Sequence, residues 1–200
     1  MTKKGMGSHQ KSIGDNQVWL TPKFILNALG PFDLDPCAAP EPRPWNTATK
    51  HIVEKEDGLS QKWEGRVWLN PPYDQNVIGK WVSKLAHHGK GTALIFARTE
   101  TQFFMREVFE KAQSCLFLEG RLHFHTPEGF RAKHNGGAPS VLVAYGNDDS
   151  EILYESGLEG RFTPLTPLSC LFYVNRVMSV HMDESWKKVV LDTFLSETDT

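Results

Sequence analysis

The chain has 200 residues, 40% of them hydrophobic and 23% charged, with a formal net charge of -2. That composition suits one packed domain and excludes a disordered, collagenous or disulfide-framed chain. No apolar run reaches membrane-spanning length, the start has no apolar signal core, and Cys37, Cys115 and Cys170 form no CxxC pair, so the expected setting is the cytoplasm, with reduced thiols and no membrane.

Charge is unevenly spread. The segment from Asp148 onward holds ten acids and four Lys/Arg, leaving 18 Lys/Arg against 14 acids before it. A mildly basic body followed by an acidic tail permits contact with nucleic acid.

In chain order, residues 1–17 are polar, carry Lys3, Lys4 and Lys11, and are expected to form a flexible arm. In "WLTPKFILNALG", Thr21 is expected to cap a helix and Pro22 to take its first position. Phe24, Ile25, Ala28 and Leu29 then share one face. "PFDLDPCAAP" reads as a short strand ending at Asp35-Pro36. Pro36, Pro40, Pro42 and Pro44 predict a loop through residue 50, and "EDGLSQKWEG" predicts a second. "RVWLN" is a strand. Val77, Ile78, Trp81, Val82 and Leu85 recur at helical spacing over 76–88, and "TALIFA" (92–97) is a buried strand. "TQFFMREVFEKA" reads as a helix, "CLFLEGRLHFH" as two strands about a Glu119-Gly120 turn, and "SVLVAY" as a further strand. Past residue 146, an apolar run "LSCLFYV" and a final helix "ESWKKVVLDTFL" form an extension over 147–200, expected to pack on or complete the sheet. The alternation predicts an α/β fold: a Rossmann-like, mostly parallel sheet with one antiparallel hairpin strand, helices on both faces, and a functional body over 18–146.

One stretch is chemically pointed. In "RVWLNPPYDQN" a strand runs straight into Asn70-Pro71-Pro72-Tyr73. Two prolines end any strand, because neither donates to a ladder. In a parallel sheet, ligands bind beyond the carboxyl ends of strands, so these four residues project into that crevice. The Asn70 side-chain oxygen is an acceptor. Pro71 is pinned to an extended conformation by its own ring and by Pro72, which holds its carbonyl at a fixed angle. Two such acceptors can take both hydrogens of one NH2 group, while Tyr73 offers a flat face to whatever carries it. The two bonds shift electron density onto the nitrogen and strengthen as positive charge develops there. The natural electrophile for such an amine is a sulfonium methyl.

With "WLTP", "FDLDPCA", "EDGLSQKWEGRVWLNPPY", "LIFARTET" and "FLEGRLHF" in this order, the chain resembles the phage and prophage DNA N-6-adenine methyltransferase family (Dam type) over roughly residues 18–145. The resemblance implies a methyltransferase sheet and S-adenosylmethionine as cofactor. Its substrate is adenine in duplex DNA, flipped out at a cost of a few kcal/mol. It gives Asn70 and Pro71 the amine, and Tyr73 the base. "LTP" resembles the segment that meets the methionine end of the cofactor, which gives Thr21 and Pro22 a role. "DLDPCA" stands where a glycine-rich cofactor loop is usual, so Asp35, Pro36, Cys37 and Ala38 would shape it with small residues, Cys37 as a filler rather than a nucleophile. Asp33 or Asp35 would bond the ammonium group. Glu54, Glu56 and Asp57 are candidates for the ribose, Asp57 preferred because "DGL" belongs to the family pattern, though it suits a turn equally.

Arg98 leaves a strand at the same sheet edge. Arg121, Arg131 and Lys133 interleave with Phe124 and Phe130, which suits DNA phosphates and bases. His123 and His125 lack a third ligand at useful spacing, so no metal is expected. Loops 36–64 and 119–138 are left to read sequence, which predicts a short or relaxed recognition site. An Asn-Pro-Pro-Tyr pocket also fits cytosine N4 or a protein glutamine, and the absent G-x-G motif leaves open a non-catalytic DNA-binding protein on the same scaffold.

Overall fold

The computed structural model describes residues 18–181. The arm 1–17 and the final helix expected at "ESWKKVVLDTFL" lie outside them. Seven strands form one sheet: β1 (Leu34–Ala38), β2 (Lys50–Val53), β3 (Val67–Leu69), β4 (Gly91–Phe96), β5 (Ser114–Leu118), β6 (Ser140–Tyr145) and β7 (Gly160–Pro164), in the order β2-β1-β3-β4-β6-β5-β7. The α-helices are α1 (Lys23–Leu29), α2 (Ile78–His88), α3 (Asn147–Glu155) and α4 (Pro167–His181).

The sheet is not mostly parallel. Three neighbouring pairs, β2/β1, β1/β3 and β3/β4, are parallel, and the other three, β4/β6, β6/β5 and β5/β7, are antiparallel. Nor does the hairpin about Glu119-Gly120 form. β5 stops at Leu118 and pairs instead with β6 and β7. Residues 121–124 cross one face of the sheet, where Leu122 and Phe124 are buried. Their alternation is that of a segment packing one side inward without a ladder partner.

Further departures have local causes. β1 continues through Pro36 to Ala38, and its register against β2 slips between Asp35 and Ala38, where proline offers no N–H. Between the two stretches expected to be loops, where no strand was expected, lies β2, an edge strand with Lys50 exposed and His51 half-buried. α1 begins at Lys23 with Pro22 at its cap position and no side-chain cap bond. Its buried face is Ile25, Leu26 and Leu29, while Phe24 is exposed. The segment expected as an ordinary helix over 101–112 contains a π-helix, Phe104–Phe109. "LSCLFYV" lies within α4, and β7 takes the free edge of β5.

Each sheet face buries its own core. Trp81, Val82 and Leu85 of α2, with Phe104 and Val108 of the π-helix, cover one face. α1, Leu153 of α3, Leu122 and Phe124 cover the other. At the amino end of β3, Arg66 is buried. Its Nε donates to Asp149 Oδ1 at 2.8 Å and its Nη1 to the Leu29 and Pro31 carbonyls at 2.7 and 3.1 Å. Its guanidinium lies 4.1 Å from the centre of the Phe32 ring. One side chain thus ties the end of α1, the sheet and the start of α3. Among the described residues, no helix is long and apolar enough to cross a membrane.

Candidate active site

From β1 the chain steps outward to β2, then returns across β1 to β3. The carboxyl ends of β1 and β3 therefore flank the point where strand order reverses, the crevice where open α/β sheets bind ligands. Cys37 and Asn70 meet there: the Cys37 thiol donates to the Asn70 carbonyl at 3.3 Å. Burial, with the Asp35 carboxylate beside it, holds that thiol well above its ordinary pKa, so it is no thiolate nucleophile at neutral pH.

Asn70 is held from three sides. Besides the Cys37 contact, its Nδ2 donates to the Trp19 carbonyl at 3.3 Å, and its Oδ1 accepts from the Tyr73 hydroxyl at 3.2 Å. With the amide nitrogen committed to a carbonyl and one hydroxyl on the oxygen, the oxygen retains one lone pair. Pro71 is buried, and among the described residues no donor meets its carbonyl. Pro72 is exposed. The Tyr73 ring stacks on Phe96 at 4.1 Å between centroids and 27° between planes, with Phe124 in a T-shaped contact at 6.2 Å. Phe96 therefore occupies one Tyr73 face, and the ring packs against both core clusters, with its hydroxyl also reaching the Leu94 carbonyl at 3.4 Å. Burial raises the Tyr73 hydroxyl well above its usual pKa, so it acts as a neutral donor.

On the β1 side, the candidates separate. Asp33 stands before the strand, at the opposite sheet edge, about 13 Å along β1 from Cys37. Its Oδ2 already accepts the Arg66 N–H at 2.6 Å. Asp35 is buried, accepting the Cys37 N–H on Oδ1 at 3.1 Å and the Thr47 hydroxyl on Oδ2 at 2.5 Å. Desolvation raises its pKa to about 6, against the opposing hydrogen bonds and the charge of Arg43. Pro36 is buried beneath Gly58: a Cβ on Gly58 would stand 1.9 Å from the Pro36 carbonyl oxygen, so this approach requires glycine. The "DGL" turn is held there by Lys84, whose Nζ donates to the Leu59 carbonyl at 2.6 Å, and by Trp63, whose Nε1 donates to the Gly58 carbonyl at 2.7 Å.

Asp57 closes that turn. Its φ is 50°, and its Oδ1 accepts the Leu59 N–H at 3.2 Å. The acid that directly follows β2 is Glu54, exposed and with no partner for its carboxylate among the described residues. From sequence, Asp57 is preferred over Glu54 for its place in the "DGL" pattern, whereas Glu54 is the acid at the end of a strand. Thr21 is not an N-cap: it is 1% exposed, and its hydroxyl has no partner among the described residues. Its carbonyl accepts from Trp45 Nε1 at 3.1 Å, and the neighbouring Pro22 is buried.

The basic candidates also differ in placement. Arg98 is exposed just beyond β4, two residues from Phe96. Arg121 donates to the Gly136 and Gly137 carbonyls at 3.5 and 3.3 Å, bracing the loop between β5 and β6. Arg131 and Lys133 are exposed. In the same loop His123 Nδ1 contacts the Ala132 carbonyl at 3.2 Å, and the His125 ring meets Trp45 edge-on at 5.3 Å. No three His, Cys, Asp or Glu residues among those described are grouped to hold a metal.

An α/β sheet with Asn70, Pro71 and Tyr73 at its reversal point and the buried Asp35 on the neighbouring strand is of the class that binds ligands beyond the carboxyl ends of its strands. Within that class, the sequence profile described as DNA N-6-adenine-methyltransferase (Dam) matches residues 7–159, and the chain belongs to this family of DNA methyltransferases. Comparisons with curated proteins and with solved structures each returned no significant match.

Proposed function

We propose that the protein transfers a methyl group from S-adenosylmethionine to N6 of adenine in duplex DNA, with the base turned out of the helix into the Asn70–Tyr73 pocket. The observation that carries this reading is the pairing of the oriented Asn70 oxygen with the undonated Pro71 carbonyl at the carboxyl end of β3. Together they accept both hydrogens of the adenine amine. As the nitrogen becomes tetrahedral and gains positive charge, both bonds strengthen, so they favour the transition state over the ground state. The proton is shed afterwards, from a methylated ammonium acidic enough to release it to water without a protein base. The Tyr73 ring stacks on the base and offsets about 1–3 kcal/mol of the flipping cost.

The residues present fit the cofactor. The Thr21 hydroxyl, without a partner among the described residues, and the buried Asp35 carboxylate, which makes no direct ion pair among them, suit the methionine end. Glu54, rather than Asp57, suits the ribose hydroxyls, since it extends from a strand end with its oxygens free. S-adenosylmethionine supplies the methyl on a positively charged sulfur. Arg98, Arg131 and Lys133 serve the phosphates.

The first test is incubation with methyl-labelled S-adenosylmethionine and unmethylated duplex DNA, digestion to nucleosides and mass spectrometry. Label in N6-methyldeoxyadenosine is the expected result. Label in N4-methyldeoxycytidine or in protein glutamine would replace the substrate, and no label with no cofactor affinity would sink the enzyme reading.

Asp35 adds a pH dependence. With its pKa near 6 in the free protein, protonation removes the counter-charge for an ammonium group. Cofactor affinity is therefore expected to be flat above pH 7 and to weaken about tenfold per pH unit below 6, by linkage. Titration calorimetry across pH 5–8 measures this, and Asp35→Asn is expected to bind weakly without the slope. The folded pKa lies above the unfolded one, so the ionised carboxylate costs stability above pH 6. Asp35→Asn should then melt no lower than the parent at pH 7. A variant retaining the full pH slope would exclude Asp35 as the counter-ion.

A further inference from the structure

The loop between β5 and β6 ends in a short, braced turn. His125 and Arg131 form an antiparallel bridge, the Thr126 N–H donates to the Phe130 carbonyl at 2.8 Å, and the Gly129 N–H donates to the Thr126 carbonyl at 2.9 Å. The turn is fixed from outside as well. Leu20 and His125 exchange backbone hydrogen bonds of 2.9 and 3.0 Å, and Gly129 lies against Pro44 and Trp45. Its base is Phe124, whose ring meets the candidate base-stacking residue Tyr73. At its side stands Trp19, 38% exposed, whose carbonyl holds Asn70.

On this turn Phe130 is 72% exposed, more than any other large hydrophobic residue among those described. It contributes nothing to the core that braces it. It sits opposite Thr126, two residues from Phe124, or about 7 Å along a strand from the ring that touches Tyr73. Arg131 and Lys133 follow it, both exposed, and Glu128 is the single acid between Arg121 and Lys133. A rigid, exposed aromatic ring flanked by cations at a pocket mouth matches an apolar stack lined by phosphates better than it matches solvent.

We infer that Phe130 is the wedge of this protein: its ring enters the base stack beside the target adenine and occupies the space the base leaves. The inference rests on the proposed reaction at adenine in duplex DNA. Phe130 touches no reacting atom; it shifts the target from stacked to extruded.

The test compares the parent with Phe130→Ala and Phe130→Leu on three substrates: fully paired duplex, the same duplex with an abasic site opposite the target adenine, and single-stranded DNA. Phe130→Ala is expected to lose about tenfold to a hundredfold in kcat/KM on paired duplex, the range set by losing one stacked ring. It should recover to within about twofold of the parent where the adenine is already unpaired, since extrusion is then nearly free. Phe130→Leu should fall between. With 2-aminopurine at the target position, the parent should raise fluorescence on binding paired duplex and Phe130→Ala should not. Equal rates for parent and variant on paired duplex would overturn the wedge while leaving the reaction intact. A loss of the same size on all three substrates would also overturn it, marking a role in folding or general DNA affinity. A parent inactive on every DNA would remove the proposed function and the wedge with it.

Discussion

Replacing Asn70 by alanine is expected to lower kcat for methyl transfer by about 10²–10³-fold, the cost typical of deleting one preorganised group aimed at developing charge. The substitution removes one of the two acceptors for the amine and leaves Pro71 to act alone. It also frees the Tyr73 hydroxyl, which otherwise donates to Asn70 Oδ1. One exposed and one half-buried hydrogen bond are lost, each at most about 0.5–1.5 kcal/mol net, so the variant should fold and melt only a few degrees lower. Cofactor affinity should change little, because the contacts assigned to the cofactor lie on Thr21, Asp35 and Glu54. Asn70→Asp keeps an acceptor at that position and should retain more activity than alanine. Steady-state rates with calorimetric cofactor binding separate the cases. An alanine variant with parental kcat would refute the mechanism.

Arg66→Leu is expected to destabilise the protein by about 3–5 kcal/mol, without any direct part in chemistry. Asp149 is fully buried, and among the described residues Arg66 is its only cationic partner. The Thr92 hydroxyl also donates to Asp149 Oδ1, at 3.0 Å, but a neutral donor does not balance the charge. Burial already raises the Asp149 pKa despite the arginine, and removing the arginine would raise it further. The sign follows from linkage. Where the folded pKa exceeds the unfolded one, the native state holds a proton that the unfolded state releases, so stability falls as pH rises through that window. The deficit of Arg66→Leu should therefore be largest at neutral pH and shrink on acidification. Replacing both residues by leucine should recover much of the loss, since no buried charge then remains. Chemical denaturation of the parent and these two variants at pH 5 and 7 measures this; a pH-independent deficit would mean that packing on Phe32 and the α1 carbonyls dominates instead.

The residues proposed to carry chemistry were legible because they are local. Asn70-Pro71-Pro72-Tyr73 announces a strand end with fixed acceptors, since proline rigidity acts on adjacent residues and needs no tertiary partner. β3, β4 and β6 are buried on both faces and read as continuous apolar runs, and α2 shows its amphipathic spacing directly. Weak local signals misled. β2 is a short edge strand of mixed character and was not expected, so Glu54 was named as a candidate without its place at a strand end. One helical position decided that Leu26, not Phe24, faces the core of α1. Thr21 looked like a cap, yet Trp45 and the core enclose it.

What the sequence determined by itself was the α/β class, the amphipathic helix and the chemistry of one strand end, because hydrophobic period and proline geometry are written in neighbouring residues. What only the tertiary structure decided was strand order and direction, the seating of Cys37 and Asp35 beside Asn70, and the exposure of Phe130. These depend on which distant backbone supplies hydrogen-bond partners to each edge. Leu116, for example, pairs with Leu142 on one side and Phe162 on the other, and no periodicity in β5 encodes that choice.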